Sequence, residues 1–393
     1  MKKYLSTYFR NFDYPLFITY VLLCLFGLVM IYSASMMVAI QEGKPPDSYY
    51  NKQLMNLVVA SVAFLIGAFF PYKHYSNKWI LFILMVIMAI LLIWVTFFGV
   101  GRETTGSQSW ISIFGLTMFQ PSEFAKLFVI IYFSGSLYKK SLKENSIQDV
   151  RPNDIWPPIL IWLLILFSVG LETDLGAIII IGVIAMSLLL LSGIRGKTLL
   201  KFSAVLGFFG SIVVGFVLLL KFDSIFNESR LGRFKVLKNP FEYADGSGYQ
   251  IINGYYAIGG GGLEGRGLGQ SIQKLGYLPE PQTDFIMAIV AEELGVLGVI
   301  IVLGGIGYIV LRAFWIAMTT QDPLARMLAG GIGVWIGFQT CLNIAGLTGV
   351  APLTGVTLPF ISYGGTSILL LSLAMGILIN VSMYYKFDKR KQS

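Results

Sequence analysis

The 393-residue chain is 55% hydrophobic and only 13% charged, with a net charge of +8 and a mean hydropathy of +0.73. Soluble domains carry about 25% charged residues, so the composition excludes an ordinary soluble globular protein and points to a polytopic membrane protein. The excess of Lys and Arg lies in the loops that flank the apolar runs and gives no reason to propose a nucleic-acid partner.

Apolar runs near the ~20 residues that cross a hydrocarbon core fall at 14–37, 54–70, 79–100, 122–138, 156–171, 175–192, 199–220, 285–315, 325–348 and 363–385. They predict an all-α polytopic membrane protein of about ten transmembrane helices. Lys and Arg set its orientation. Lys2, Lys3 and Arg10 precede the first run, Lys73 and Lys78 follow the second, and Lys139, Lys140, Lys143 and Arg151 follow the fourth. Arg195, Lys197 and Lys201 follow the sixth, Arg312 and Arg326 border the next such loop, and Lys386, Lys389, Arg390 and Lys391 end the chain. The alternate short loops hold only Lys44, Lys52 and Arg102. Both termini are therefore expected in the cytoplasm, with a large extracellular loop, 221–284, between helices seven and eight. No internal repeat or linker divides the chain, so residues 1–393 read as a single membrane domain that includes this loop. The basic start and Ser33-Ala34-Ser35 imitate a signal peptide, but the first apolar run is too long for one and further spans follow.

Cys24 and Cys341 fall inside spans and suggest no disulfide framework. His74 is the single histidine and sits in a cytoplasmic loop. Any general base on the outer face is thus expected to be a carboxylate.

The outward loop 101–121 is rich in turn residues and carries Trp110, whose ordinary role near an interface is a headgroup-level anchor. Pro121 suits the first helical position, and Glu123 the first turn, where the helix dipole favours an anion. Lys126 is anomalous, a cation one turn inside the positive end of an intramembrane helix. It either pairs with Glu123 at i,i+3 or serves an anionic ligand. The turn LETDLG at 171–176 reads as solvated, with Asp174 near a helix start. RLGRFKVLKNP at 230–240 reads as a short basic amphipathic helix or a solvated basic loop. GGGGLEGRGLG follows no strand and lacks the P-loop lysine and serine, so it reads as flexible backbone that admits something large rather than as a nucleotide cradle.

The stretch 278–295, LPEPQTDFIMAIVAEELG, is where polar chain becomes apolar helix. Pro279 and Pro281 stiffen the approach to Asp284. An unbroken helix would carry Glu292 and Glu293 roughly 12 Å beyond Asp284, about 100° apart, so the two need separate polar surroundings. Residues 349–362, uncharged and interrupted by Pro and Gly, read as a re-entrant segment packed in protein rather than in lipid.

Taken together, G-SQSW-I at 106–111, QPSEFAK at 120–126, DLG at 174–176 and the R-x-x-R-F…NP…GYQ pattern across 230–250 resemble the SEDS family (shape, elongation, division and sporulation). GGGGLEGRGLG, YLPEPQTDF with AEELG, and LPFISYGGTS at 358–367 extend the resemblance over essentially the whole chain, which is closer to the FtsW branch than to RodA. Ser109 stands where many relatives have arginine, Gln282 where FtsW often has histidine, and Thr366 where serine is common.

The resemblance implies a peptidoglycan glycosyltransferase that polymerises lipid II and releases undecaprenyl pyrophosphate. Asp284 is then the catalytic residue, and Lys126, Trp110, Glu123, Asp174, Arg230, Arg233, Gln250, Ser362 and Tyr363 are the substrate-binding residues. It implies a class B penicillin-binding protein and other divisome or elongasome proteins as partners, in the bacterial cytoplasmic membrane and enriched at the septum. No cofactor is evident, and a divalent cation, Mg2+ or Mn2+, is compatible with pyrophosphate departure. A lipid II flippase and a non-catalytic divisome scaffold are the alternatives.

Overall fold

The computed structural model describes residues 10–100, 109–113, 117–143, 152–194, 196–220, 236–237, 239–246 and 248–392. Its helices are α1 Tyr14–Gln41, α2 Ser48–Phe69, α3 Lys78–Phe98, α4 Pro121–Lys143, α5 Pro152–Leu171 and α6 Leu175–Leu191. They continue as α7 Gly196–Leu220, α8 Tyr249–Gly261, α9 Ile286–Thr319, α10 Pro323–Leu347 and α11 Gly365–Gln392. Every apolar run expected to span falls on one of them. Seven of the described helices are long and apolar enough to cross a membrane, and α5 and α6 carry shorter apolar stretches. Starts are written locally. Asn77 caps α3 through Trp79 N at 3.0 Å, Asp174 caps α6 through Ala177 N at 3.0 Å, and Asp322 caps α10 through Leu324 N at 2.9 Å.

α11 is the central helix. In its most apolar stretch 89% of residues are buried, against 22% for α3, which lies at the rim. Two glycines let α2 lie directly along it. A Cβ on Gly67 would stand 2.5 Å from the Leu373 carbonyl oxygen, and one on Gly376 2.3 Å from that of Phe64. Close backbone approach through small residues suits a bilayer, where hydrophobicity alone does not drive helices together. At the end that holds the termini, buried Asp13 joins α1 to Arg312 of α9 (2.8 Å) and to Ser382 (2.5 Å) and Lys386 (3.1 Å) of α11.

The opposite end departs from the sequence reading in five places. Loop 101–121 contains a two-stranded antiparallel hairpin, β1 Ile111–Ile113 and β2 Thr117–Phe119, with Ser112 opposite Met118. The large loop contains α8, which packs on α9. The helix expected over 285–315 is broken at Gly295, whose φ of 61° and ψ of −156° only glycine adopts readily. Residues 296–319 still supply about 36 Å of helix, enough for a hydrocarbon core of about 30 Å. The segment 286–294 is therefore a separate short helix, which carries Glu292 and Glu293 just before the break.

The fourth departure is the glycine-rich loop, which is clamped rather than open. Arg266 N and Gly267 N donate to the carbonyls of Glu292 and Glu293, both at 2.9 Å, and Val296 N donates back to Leu263 O at 3.2 Å. The Glu292 carboxylate accepts from the Ser271 hydroxyl and from Ile272 N at 2.9 Å, with Arg266 Nε 3.5 Å away. Glu293 accepts from Gly269 N at 2.9 Å, from Ser33 of α1 at 2.7 Å and from Lys274 at 2.7 Å. The two glutamates thus have separate polar surroundings, as their angular offset requires. The loop is an anion nest whose anions are the chain's own side chains.

Glu172, expected in a solvated turn, is 1% exposed, and neither carboxyl oxygen has a hydrogen-bond partner among the described residues. The hairpin end covers it, with the Ser109 hydroxyl donating to its carbonyl at 3.3 Å. Burial, aided by the nearby Asp174 charge, pushes the Glu172 carboxyl well above the ordinary 4.5.

Gly295→Ala is expected to lower thermal stability in detergent by about 3 kcal/mol or more, because the added Cβ would stand 2.4 Å from Leu263 O. Gly304→Ala, with nothing within 4 Å of the new Cβ, should be neutral or slightly stabilising. Glu172 holds a proton in the folded chain that the unfolded chain releases above the ordinary range, so its cost grows as pH rises. Glu172→Gln should therefore raise the thermal midpoint at about pH 7.5 and leave it unchanged near about pH 4. Equal midpoint changes at the two pH values would mean that the buried carboxyl is ionised.

Candidate active site

Three backbone grips hold the approach to Asp284. Gln250 of α8 donates to Pro279 O at 3.3 Å, Tyr363 N donates to Gln282 O at 2.9 Å, and the Ser362 hydroxyl donates to Thr283 O at 2.5 Å. Leu358 N donates in turn to Ser362 Oγ at 2.8 Å, which aims that hydroxyl. Gln250, Ser362 and Tyr363 are thus all brought to the 279–284 stretch, through its main chain. Asp284 stands two residues before Ile286, at the positive end of the short segment that opens α9. Thr283 Oγ1 donates to Asp284 Oδ1 at 3.0 Å, and Asn343 Nδ2 of α10 donates to the Asp284 carbonyl at 2.9 Å.

Asp284 borders a small cleft whose lining side chains include the apolar Leu342, Leu347, Leu353 and Val356 and the neutral polar Asn343 and Thr354. Among the described residues it is the one carboxylate of that lining. The far wall belongs to residues 349–362, whose Leu358, Phe360 and Ile361 are buried in protein, as the uncharged sequence requires.

Lys126 belongs to a second buried centre. Its ammonium, on a side chain 1% exposed, lies 2.6 Å from Glu123 Oε1 and 3.0 Å from Gln339 Oε1 of α10, and 5.6 Å from the Trp335 ring centroid. Trp335 Nε1 also donates to Gln339 Oε1 at 2.8 Å. The i,i+3 pairing with Glu123 is therefore formed, and Pro121 is the first residue of α4. Glu123 Oε2 is buried without a hydrogen bond among the described residues.

The two centres meet through α10. Gln339 Nε2 donates to Thr357 O at 2.9 Å, and Asn343 Nδ2 to Val356 O at 2.8 Å. Residues four apart share a helix face, so two amides one turn apart take successive carbonyls of the re-entrant segment. Neither was singled out in the sequence. A polar residue inside a membrane helix is the signal that would have found both.

Asp174 ties the hairpin to α6. Besides capping that helix, it accepts from Gln120 Nε2 and Ser122 Oγ, both at 3.0 Å. Thr366 fixes the same strand end to α11, accepting from Gln120 N at 3.2 Å and donating to Met118 O at 3.1 Å. Trp110 is half-buried and bridges to Val100 as an isolated β pair. Arg230 and Arg233 lie outside the described residues, as does most of the basic segment 230–240. Among the described residues no three His, Cys, Asp or Glu side chains converge to hold a metal ion.

Comparison with known proteins covers nearly the whole chain. The family model for FtsW, RodA and SpoVE, described as a cell cycle protein, matches residues 14–387. The probable peptidoglycan glycosyltransferase FtsW of Bacillus subtilis is 42% identical over 384 residues, covering 98% of this chain and 93% of that protein. Stage V sporulation protein E of the same organism is 37% identical, covering 95% and 98%. A chain of a solved peptidoglycan synthase complex superposes with a TM-score of 0.71 at 24% identity, covering 94% of this chain and 97% of that one. That likeness carries the fold, an α-helical membrane bundle, and the sequence matches carry the family. The half-buried carboxylate, the paired lysine and the clamped loops thus stand in a protein that belongs to the FtsW/RodA/SpoVE family.

Proposed function

We propose that the chain is a peptidoglycan glycosyltransferase of cell division that joins lipid II units into glycan strands, with Asp284 as general base. The observation that carries this reading is the position of Asp284, among the described residues the one carboxylate in a cleft whose other lining side chains are apolar or neutral. The names of the similar FtsW proteins supply the reaction class. The Lys and Arg bias of the short loops supports placing the Asp284 end at the outside of the cytoplasmic membrane. A lipid-linked substrate presents its headgroup at that level.

In the reaction, a sugar 4-hydroxyl attacks the anomeric carbon of the donor while the bond from that carbon to undecaprenyl pyrophosphate breaks. The hydroxyl proton passes to the Asp284 carboxylate, and the leaving pyrophosphate keeps the bonding electrons. One displacement converts an α-linked donor into a β-1,4 product. Negative charge on the departing group needs positive support. Lys126 supplies it as a fixed charge held by Glu123 and Gln339, and Arg230 and Arg233 of the large loop are the further cations. A divalent ion, Mg2+ or Mn2+, would offset charge on the departing pyrophosphate, but among the described residues no cluster of carboxylates is assembled to hold one. A class B penicillin-binding protein is the natural partner, since the strands must be crosslinked, and the division septum is the expected place.

Asp284→Asn should cut polymer yield at least about 100-fold, measured with purified protein, its cognate penicillin-binding protein and lipid II. The amide keeps the shape and the Thr283 contact, so the thermal midpoint should hold. Wild-type-like polymer from this variant would remove Asp284 from the mechanism. If labelled lipid II crossed proteoliposomes with the wild type and stopped crossing with the variant, the flippase reading would replace this one.

Lys126→Met should also depress polymerisation strongly, because it leaves Glu123 buried without its cation. The double variant Glu123→Gln/Lys126→Met should recover thermal stability and stay poorly active. Recovery of full activity would assign the lysine to structure alone.

A further inference from the structure

A general base that has taken a proton must lose it before the next sugar is added. The turn just ahead of Asp284 holds groups suited to that step. Thr283 Oγ1 lies 3.0 Å from Asp284 Oδ1, 3.0 Å from Glu280 O and 3.4 Å from Glu280 Oε2. A hydroxyl has one proton to give and two lone pairs to receive with. While Asp284 is ionised, Thr283 donates to it. Once Asp284 is protonated the direction reverses: the carboxyl donates, Oγ1 accepts, and the hydroxyl proton turns toward Glu280. Thr283 is thus a hydroxyl set between two carboxylates.

Glu280 reaches that place through a backbone conformation that favours glycine. Its φ of 48° lies in the left-handed region, where a side chain with a Cβ is crowded. The turn folds the glutamate back over the residues that follow it, with Thr283 N donating to Glu280 O at 3.2 Å. Gln282, itself 2% exposed, donates through Nε2 to Glu280 Oε2 at 3.2 Å, which keeps the oxygen nearest Thr283 facing inward. Glu280 is nonetheless exposed, whereas Asp284 is half-buried. Neither Glu280 nor Thr283 belongs to the lining of the cleft beside Asp284. The chain of oxygens therefore runs from the base to water on a side other than the cleft. A left-handed glutamate tied back toward a carboxylate is a strained arrangement, and strain of this kind accompanies functional groups.

Resting on the glycosyltransferase reading above, we propose that Thr283 and Glu280 form the proton exit of Asp284. After glycosyl transfer the O–H bond on the Asp284 carboxyl breaks as a new one forms to Thr283 Oγ1. The original Oγ1–H bond breaks in the same step, and its proton goes to Glu280 Oε2. Rotation of the exposed glutamate side chain closes the 3.4 Å gap for that transfer. Glu280 then releases the proton to water, Thr283 is again a neutral hydroxyl, and Asp284 is again a carboxylate. The exit matters while bound substrate covers Asp284, because water then reaches Glu280 and not the base.

The test measures kcat and KM for lipid II polymerisation by the full chain with its partner penicillin-binding protein. Glu280→Gln keeps the shape and the Gln282 contact but takes up no proton. Its kcat should fall about tenfold, with KM within about twofold of the wild type. Imidazole, a small base that reaches the exposed position, should restore the rate as its concentration rises. Thr283→Val should lose about as much and gain nothing from imidazole, whereas Thr283→Ser, which keeps the hydroxyl, should recover most of the rate. Wild-type kcat in Glu280→Gln would overturn the proposal. So would a loss in that variant that stays the same at every imidazole concentration, since a residue that only shapes the turn is not replaced by a free base. If Glu280→Gln fails to fold, as read by its thermal midpoint, the Thr283 variants decide, and equal rates for valine and serine would overturn the exit. Absence of any polymer from the wild type would instead bring down the glycosyltransferase reading itself, and the proton exit with it.

Discussion

A backbone that leaves the helix inside or beside a bilayer has to find its hydrogen bonds in protein. The end of the bundle around Asp284 is built under that constraint. Two irregular segments, 262–285 and 349–364, sit there among membrane helices. Polar side chains from α9 and α10 take up their main-chain groups: Glu292 and Glu293 bind the N–H groups of the first, Gln339 and Asn343 the carbonyls of the second. The charge match follows from the chemistry, with anionic acceptors for donors and amide donors for acceptors. Gly295 makes the first set possible, because the break turns the carbonyls of Glu292 and Glu293 toward Arg266 N and Gly267 N.

The clamp gives a rigid setting to a site made mostly of loops. Sites on loops lose precision unless a second layer of contacts fixes them. Here Gln250, Ser362 and the Tyr363 amide reach the residues just ahead of Asp284 from three different elements. Ser33 and Lys274 extend the layer to α1. The large loop is therefore part of the bundle's packing over its described C-terminal half, rather than a lid laid across it.

Much of this was legible in the sequence. The apolar runs, Pro121 at the start of α4, the Glu123–Lys126 pair, Asp174 at its helix start and the separate surroundings of Glu292 and Glu293 all follow from spacing and local rules. The glycine-rich loop was misread, because glycine permits both flexibility and very close approach, and composition cannot separate the two. A Cβ on Gly261 would stand 1.9 Å from Ala291 O, so close approach is its reason here. Glu172 was misread because burial of a turn depends on what folds over it, in this case the Ser109 end of a hairpin with little sequence signature. Gln339 and Asn343 were passed over because uncharged amides barely lower the hydropathy of a long apolar run, although a buried amide in lipid always needs an account.

Those two amides also decide what sets the position of the base. They lie one turn apart on α10 and bind the carbonyls of Thr357 and Val356, so α10 and the re-entrant segment are locked in one register. Sliding the segment by one residue would break both bonds at once and leave two buried carbonyls unmatched. Gln339 carries the same register to Lys126, and Asn343 carries it to the Asp284 main chain. The distance between the fixed positive charge and the carboxylate is therefore a property of a single helix face. A substitution on the loops can loosen Asp284, whereas α10 ties its main chain and the lysine to one helix through Asn343 and Gln339.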